Sequence, residues 1–238
     1  MKRFFLTTLE KDLQTLQNEE FVHAVTVLRM KEEDSFCAIC GDEFDYICKI
    51  TKINKHSADF EIINKTKNTA NPTKNITLFQ ALAKGDKMEL LAQKLTEIGV
   101  STFVPVYTKN CDVKPNTHRV ARLEKITQSA CKQCGRSIPM TIEEVTLIKD
   151  AISRFGEYDL VLFANEREDS LRLNEVLSNN KKLNNIAFVV GPEGGWDNQE
   201  IDEIINAGAK SVSLGSRILR TETAGIYLAS IIADFCEV

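Results

Sequence analysis

This chain has neither long apolar runs nor a net basic charge. Its 238 residues carry a formal net charge of −4, so a nucleic-acid partner would have to bind a local basic patch. No stretch approaches the ~18 consecutive apolar residues of a membrane-spanning helix. The N-terminal Met1-Lys-Arg-Phe-Phe-Leu6 lacks the apolar core of a signal peptide. We therefore expect a cytoplasmic globular protein that does not bind a membrane.

The motifs of several common enzyme classes are also missing. The chain has no GxGxxG loop for a dinucleotide, no GxxxxGK[ST] phosphate loop and no GxSxG nucleophile elbow. Its histidines, His23, His56 and His118, are scattered and have no obvious nucleophile beside them. A dinucleotide-dependent enzyme, a P-loop nucleotidase and a triad hydrolase are therefore not supported.

Seven cysteines are an odd number, and in a cytosolic chain they are expected to be thiols. Two CxxC spacings occur, Cys37–Cys40 and Cys131–Cys134. The first lies in a predicted strand, where residues three apart face opposite sides. The two pairs are about ninety residues apart, whereas zinc ribbons separate them by ~15–20. We expect no metal site.

The first part of the chain, residues 1–68, is predicted to be a small β domain. A short helix is expected over Glu20–Met30, where Phe21, Val25 and Leu28 share one face. Residues 64–75 are polar, contain a proline and lack an apolar period, which predicts a linker. The predicted strands are Ser35–Cys40, Phe44–Ile53 and Ala58–Ile63.

In residues 75–238, apolar strand patterns alternate with helical ones, which predicts an α/β domain with a mostly parallel sheet covered on both faces. The predicted strands are Ile76–Leu82, Thr102–Val106, Tyr158–Phe163, Ile186–Val190 and Ser211–Leu214. The predicted helices lie between Asp86 and Gly99, over Thr117–Cys134, over Leu171–Ser178, after a capping box at Asp197 and over Thr223–Cys236.

Two of these strands stop at a glycine loop, Gly191-Pro-Glu-Gly-Gly195 and Leu214-Gly-Ser-Arg-Ile-Leu-Arg-Thr-Glu-Thr-Ala224. Glycine permits a sharp turn or the close approach of a ligand, so the two loops suggest one composite small-molecule site. The first loop could equally be a tight strand-to-helix connection. In the second, Thr221 or Glu222 could simply cap the following helix.

A basic stripe lies on the predicted helix over Thr117–Cys134. Arg119, Arg122 and Lys125 fall at i, i+3 and i+6 and so share a face. Such a face is usually just solvated, but a positive ridge near a pocket is also what contact with a phosphate backbone requires.

Several blocks of the chain carry a family resemblance. They are Lys84-Gly-Asp-Lys-Met-Glu-Leu90, Gln93-Lys-Leu-Thr-Glu-Ile-Gly-Val100, Cys131-Lys-Gln-Cys-Gly-Arg-Ser-Ile-Pro139 and the two glycine loops. With the N-terminal Met1-Lys-Arg-Phe-Phe5 and His23-Ala-Val-Thr-Val-Leu-Arg-Met30, they resemble the ribosomal RNA small subunit methyltransferase E family. The resemblance covers nearly the whole chain in the right order.

The resemblance implies a PUA-like β-barrel RNA-binding domain followed by a SPOUT methyltransferase domain with a trefoil knot. It implies S-adenosylmethionine as cofactor, a homodimer with each site near the subunit interface, no metal, and 3-methyluridine formed in 16S rRNA of the 30S subunit. By motif match, the implied cofactor-binding residues are Gly191, Pro192, Glu193, Gly194, Gly195, Leu214, Gly215, Ile218, Leu219, Thr223 and Ala224.

The implied chemistry needs a group that handles the imide proton of uridine N3. We predict that Arg220 stabilises the uracil oxyanion and that Glu222 is either the base or the residue that orients Arg220. The second role is favoured for Glu222, because an adjacent arginine would weaken it as a base. The predicted RNA-binding residues are Arg29, Lys84, Arg119, Arg122, Arg136 and Arg217; the implied dimer could bring Arg136 to the partner's site.

Two other interpretations remain open at this point. The chain could be a SPOUT methyltransferase that acts on another RNA site or on a ribose 2′-hydroxyl. It could also be a non-catalytic RNA-binding module in which the glycine loops are only structural. The intact blocks at Gly191–Gly195 and Arg217–Ala224 argue against a pure binding module, which has no need of them.

Overall fold

The computed structural model describes residues 1–6, 9, 14–115, 118–168, 171–178 and 183–237, without the side chains of residues 118, 119 and 237. The chain forms two compact units. One consists of Met1–Asn71 with Gln128–Pro139, and the other of Pro72–Thr127 with Met140–Val238. Among the described residues, no helix is both long and apolar enough to span a bilayer.

The first unit contains a five-stranded sheet with the order β1-β3-β4-β5-β2, in which only β1 and β3 are parallel. Phe36 packs edge-on against both Phe4 and Phe60 in its core. The strands are β1 (Arg3–Phe5), β2 (Gln14–Leu16), β3 (Ser35–Ile39), β4 (Phe44–Ile53) and β5 (Ala58–Lys67).

Residues 64–67, which were predicted to belong to a linker, form the end of strand β5. They pair with the start of β4, where Phe44 lies opposite Lys67 and Ile47 opposite Asn64. Their side chains are exposed, so the backbone ladder holds the strand without an apolar face, together with the Lys65 ammonium, which lies 3.9 Å from the centroid of the Phe44 ring. The polar composition of residues 64–67 thus led to the prediction of a linker where the structure has a strand.

The helix expected over Glu20–Met30 starts and ends earlier than predicted. Helix α1 (Asn18–Phe21) passes directly into a π-helix over Val22–Val27. The N–H of Leu28 donates to the carbonyl of His23, and Arg29 then adopts a φ of 53°. This left-handed backbone ends the helix before Met30.

All seven cysteines are free thiols. Burial raises the pKa of Cys48 and of Cys131 to about 12, so both stay protonated at neutral pH. No cluster of three or more metal-binding side chains occurs among the residues that the structure describes.

The second unit contains a parallel sheet with the order β12-β10-β11-β6-β7-β8, and β9 also pairs with β7. This confirms the predicted parallel α/β architecture. The strands are β6 (Asn75–Ala81), β7 (Thr102–Tyr107), β8 (Thr141–Ile142), β9 (Thr146–Leu147), β10 (Leu160–Ala164), β11 (Asn185–Val190) and β12 (Lys210–Val212).

Helices cover both faces of this sheet, as predicted. Successive residues of strand β6 belong to different cores: Leu78 is buried in one core with Leu91 and Leu228, whereas Phe79 is buried in the other with Ala151 and Ile204. The helices are α2 (Lys87–Ile98), α3 (His118–Cys134), α4 (Ile148–Ser153), α5 (Leu173–Ser178), α6 (Asn198–Asn206) and α7 (Thr221–Glu237), with a 3-10 turn at Phe155–Glu157.

The predicted start of helix α6 is confirmed. Asp197 accepts from the N–H of Gln199, and Glu200 accepts from the N–H of Asp197, which completes a capping box. At α2, Asp86 occupies the N-cap position but forms no capping hydrogen bond. Its φ of −93° and ψ of 6° differ from the extended backbone of a capping residue.

Candidate functional site

Three loops meet at one edge of the parallel sheet. Strand β10 lies between β11 and β12, and the carboxyl ends of parallel strands point the same way. The loops that follow these strands, residues 165–168, 191–197 and 213–220, therefore lie side by side. Such an edge is the usual ligand site of an open α/β sheet.

The loop of residues 191–197 is tightly packed. A Cβ atom on Gly191 would lie 2.5 Å from Nε1 of Trp196, and one on Gly194 would lie 2.7 Å from the carbonyl oxygen of Asn110. Asn110 also donates from Nδ2 to the carbonyl of Gly195 at 3.0 Å. Both glycines thus permit contacts that any side chain would block.

Thr221 fixes this loop to the start of helix α7. Its hydroxyl donates to the carbonyl of Gly191 at 2.6 Å and accepts from Nε2 of Gln80 at 2.7 Å. Gln80 is fully buried at the end of β6 and also donates to the carbonyl of Ala81. Gln80 was not predicted as a site residue; its only signal in the sequence is a polar residue inside the apolar run at 76–82.

A small charge cluster lies beside the same loop. The ammonium of Lys87 is 2.7 Å from Oε1 of Glu193 and 4.0 Å from Oε2 of Glu222. The N–H of Lys84 also donates to Glu193, at 3.0 Å. Burial alone would raise the pKa of Glu193, but the hydrogen bonds from Lys87 and Lys84 hold it below its ordinary value.

Glu222 has an unusual environment in the first turn of α7. The residue is 9% exposed, and its buried Oε2 has no hydrogen-bond partner among the described residues. Within that same part of the chain, no hydrogen bond or ion pair joins Glu222 to Arg220; the nearest cation is Lys87. The structure therefore does not bring Glu222 and Arg220 together as the orienting role requires.

The loop of residues 213–220 is open and lines a cavity of about 120 Å³. Gly215 has a φ of 109° and would have no neighbour within 4 Å of a Cβ atom. Ile218 is 84% exposed. The lining residues are Ala164, Asn165, Glu166, Glu168 and Ser213–Leu219.

Glu166, Glu168, Leu214 and Gly215 also line an adjoining cavity of about 460 Å³, a size typical of small-molecule sites. Oε1 of Glu166 would lie 3.6 Å from a Cβ atom on Gly195, so the first glycine loop also meets this region.

The predicted cofactor-binding residues thus fall into two groups. Leu214, Gly215, Ile218 and Leu219 line the cavity. The others do not line either cavity among the described residues: Gly191, Pro192, Glu193, Gly194, Gly195, Thr223 and Ala224. The wall at Ala164–Glu168 was missed, although it follows the predicted strand Tyr158–Phe163 and so had to share the same sheet edge.

The predicted RNA-binding and catalytic arginines are mostly exposed. Arg29, Arg217 and Arg220 are exposed, and Arg217 lines the smaller cavity. Lys84 pairs with Asp112 at 2.8 Å, and Arg122 pairs with Glu89 at 2.8 Å. Arg119 belongs to helix α3, but its side chain lies outside the described residues.

Arg136 differs from this set because it is 3% exposed. Its Nε donates to the carbonyl of Ile138 at 3.1 Å, and burial lowers its pKa. A buried guanidinium does not present its charge to a phosphate backbone, so this structure does not support the RNA contact predicted for Arg136.

Comparison with known proteins identifies the family. The model of the RNA methyltransferase domain matches residues 69–233, and that of the RNA methyltransferase PUA domain matches residues 16–63. Ribosomal RNA small subunit methyltransferase E of Rickettsia conorii is 33% identical over 231 residues, which cover 93% of this chain and 91% of the relative. The chain belongs to the ribosomal RNA small subunit methyltransferase E family.

Other relatives and solved structures match over similar lengths. The Aquifex aeolicus enzyme is 30% identical, and the match covers 99% of this chain and 100% of that enzyme. The Neisseria gonorrhoeae enzyme, solved with S-adenosylmethionine, has a TM-score of 0.87 at 30% identity, covering 98% of this chain and 97% of that one. A putative methyltransferase from Legionella pneumophila, also solved with this cofactor, has a TM-score of 0.86 at 27% identity, with 98% and 96% covered. The PUA-like and methyltransferase assignments are confirmed.

Proposed function

We propose that this chain transfers the methyl group of S-adenosylmethionine to N3 of a uridine in the decoding region of 16S rRNA. Membership of the methyltransferase E family supports the coarser activity, cofactor-dependent methylation of small-subunit rRNA. The observation that carries the proposal for this chain is the cavity between the loops after β10 and β12, with exposed Arg217 and Arg220 on the second loop.

The cavity walls fit the proposed cofactor. S-adenosylmethionine carries a sulfonium and an α-ammonium, and the carboxylates of Glu166 and Glu168 line the cavity that would receive them. The apolar Leu214 and Leu219 supply surface for the adenine ring. The family motif extends this proposed set to Gly191–Gly195, Gly215, Ile218, Thr223 and Ala224. The bound cofactor would supply an electrophilic methyl group.

Two residues of the chain are proposed to handle the charge and proton of uridine N3. Arg220 is exposed and directly follows Leu219, which lines the cavity, and it would stabilise the negative charge that develops on a uracil oxygen. Glu222 would accept the imide proton, because its Oε2 has no hydrogen-bond partner among the described residues. The absence of an Arg220–Glu222 contact in that part of the chain favours this role over the orienting one.

The proposed RNA contacts follow from the exposed cations. Arg29, Lys84, Arg122 and Arg217 are the described members of this set, and Arg119 completes it by its position in helix α3. Arg136 is left out because it is buried. We further propose that the chain acts as a homodimer on the 30S subunit and that the second unit carries the family's knot.

Mass spectrometry of 16S rRNA from a strain that lacks this gene tests the proposed product. We expect 3-methyluridine to be absent and to return when the wild-type gene is restored. If 3-methyluridine persists, the target position is wrong. The loss of a different modification, such as a 2′-O-methyl group, would assign the chain to that reaction instead.

Calorimetric titration with S-adenosylmethionine tests the enzymatic assignment separately. We expect saturable binding by the purified protein. A chain that binds 16S rRNA but gives no heat with the cofactor would be a binding module in which the glycine loops are structural.

A further inference from the structure

Lys87 has an unfavourable position that its neighbours must offset. It is the first residue of helix α2, where the partial positive charge of the helix terminus disfavours a cation. Its side chain is 26% exposed, so water screens it only in part. Two carboxylates from other elements, Glu193 and Glu222, lie within 4.0 Å of its ammonium.

These two carboxylates depend on Lys87 to different degrees. Glu193 also accepts from the backbone N–H of Lys84, which would remain after Lys87 is changed. Oε2 of Glu222 is buried and has no hydrogen-bond donor among the described residues, so Lys87 is its nearest opposite charge. Without that ammonium, a buried carboxylate would face the like charge of Glu193 and move towards water.

We propose that Lys87 is a positioning residue of the methyl transfer, which places the carboxylate of Glu222 by bridging it to Glu193. This role rests on the proposed function, because it acts through the proposed proton acceptor. Lys87 itself touches neither the cavity nor the reacting atoms: it is not among the residues that line either cavity in the described part of the chain.

The role predicts a specific kinetic pattern. Lys87→Met keeps the aliphatic stem but removes the charge, and it should lower kcat about tenfold or more, the value of one charge-assisted contact. The affinity for S-adenosylmethionine should stay within about threefold, since Glu193 keeps its bond to the backbone of Lys84. Lys87→Arg should restore most of kcat, because a guanidinium can span the same two carboxylates.

The experiment measures kcat and KM on 30S subunits, with the cofactor Kd by calorimetry, for wild type, Lys87→Met, Lys87→Gln and Lys87→Arg. Lys94→Met on the same helix is the matched control. It also removes a partly buried ammonium, whose partner Glu97 lies one turn along, but neither residue lines either cavity in the described part of the chain, so kcat should not change. Adding Lys87→Met to Glu222→Gln should cost little more than Glu222→Gln alone, because both changes remove the same function.

The outcomes separate this inference from the proposed function. If the wild type forms no 3-methyluridine, the proposed function is overturned, and this role of Lys87 with it. If the wild type is active and Lys87→Met and Lys87→Gln keep kcat, the positioning role alone is overturned. Additive losses with Glu222→Gln, or no recovery in Lys87→Arg, would also overturn it. Thermal unfolding midpoints close to wild type exclude misfolding as the cause of a low kcat.

Discussion

The loop after β11 and the loop after β12 both follow a buried strand and both contain glycine, yet they have opposite surroundings. Gly191 and Gly194 lie against Trp196 and Asn110 so closely that no Cβ atom would fit. Gly215 has open space around it and a φ of 109°. Close packing therefore requires glycine at positions 191 and 194, whereas a positive φ favours glycine at position 215.

This difference predicts different roles for the two loops. The packed loop follows β11 and is joined to β6, to the loop after β7 and to α7 through Gln80, Asn110 and Thr221, so its side chains should govern stability. In the open loop, Arg217 and Ile218 line a cavity and Arg220 is exposed, so this loop should govern catalysis and RNA contact. A strand followed by glycine in the sequence can therefore indicate either a tightly packed structural loop or an open loop beside a cavity.

Changing Arg220 in the open loop should produce the largest effect. Arg220→Ala should lower kcat at least ~100-fold, the usual effect of removing one donor to a developing oxyanion. Cofactor affinity should stay within about tenfold, or about 1.4 kcal/mol. Single-turnover methylation and calorimetry measure the two quantities. A large loss of affinity with little change in kcat would assign Arg220 to the cofactor, and Arg217→Ala is the comparison on the same loop.

Alanine substitutions at the two kinds of glycine test the comparison directly. Gly191→Ala must displace Trp196, which packs edge-on against Phe163 at 5.4 Å, and overpacking of this kind costs up to about 3 kcal/mol. Gly215→Ala meets no atom and strains only the backbone, at about 1 kcal/mol. Urea denaturation gives both values. Equal losses would show that the two loops are not packed differently.

Thr221→Val tests the link between the packed loop and helix α7. Losing the hydroxyl leaves the Gly191 carbonyl and one N–H of buried Gln80 without their partner, at a cost of about 1 to 2 kcal/mol. Gln80 keeps its bond to Ala81, which limits the loss. Ser230→Ala, on an exposed face of the same helix, should change the unfolding free energy by less than about 0.5 kcal/mol. Similar losses in the two variants would remove Thr221 from this link.

The sheet of the second unit could be predicted because its long strands are continuous apolar runs. Ile186–Val190 and Thr102–Val106 both match observed strands to within a residue. Strands β8 and β9 have only two residues each, too few for any period to show. The end of β5 was missed for a different reason, because its side chains are polar and exposed and so form no apolar pattern.

The site could be predicted in part, because a glycine at the end of an apolar strand pattern indicates where a ligand-binding loop begins. Leu214 and Gly215 were found in this way and line the cavity. The contacts of the packed loop could not be found, since Gln80 and Thr221 are 141 residues apart and Lys87 and Glu193 are 106 apart. No local pattern pairs such residues. The burial of Arg136 could not be predicted either, because a charged residue is expected to be exposed unless its distant contacts are known.

The pH dependence of stability gives the smallest expected effect on the packed loop. The pKa of Glu193 in the folded protein lies below its ordinary value of 4.5, because the hydrogen bonds from Lys87 and Lys84 outweigh burial. The folded state therefore favours the carboxylate, and this stabilisation is complete above pH 4.5 and lost as the pH falls through the folded pKa. Glu193→Gln has no carboxylate at this position and so lacks this stabilisation at every pH. Its unfolding free energy should thus fall less than that of wild type between neutral and acid pH, whereas Glu43→Gln, in an exposed ion pair, should follow wild type. Parallel curves for Glu193→Gln and wild type would show that this carboxylate does not stabilise the packed loop.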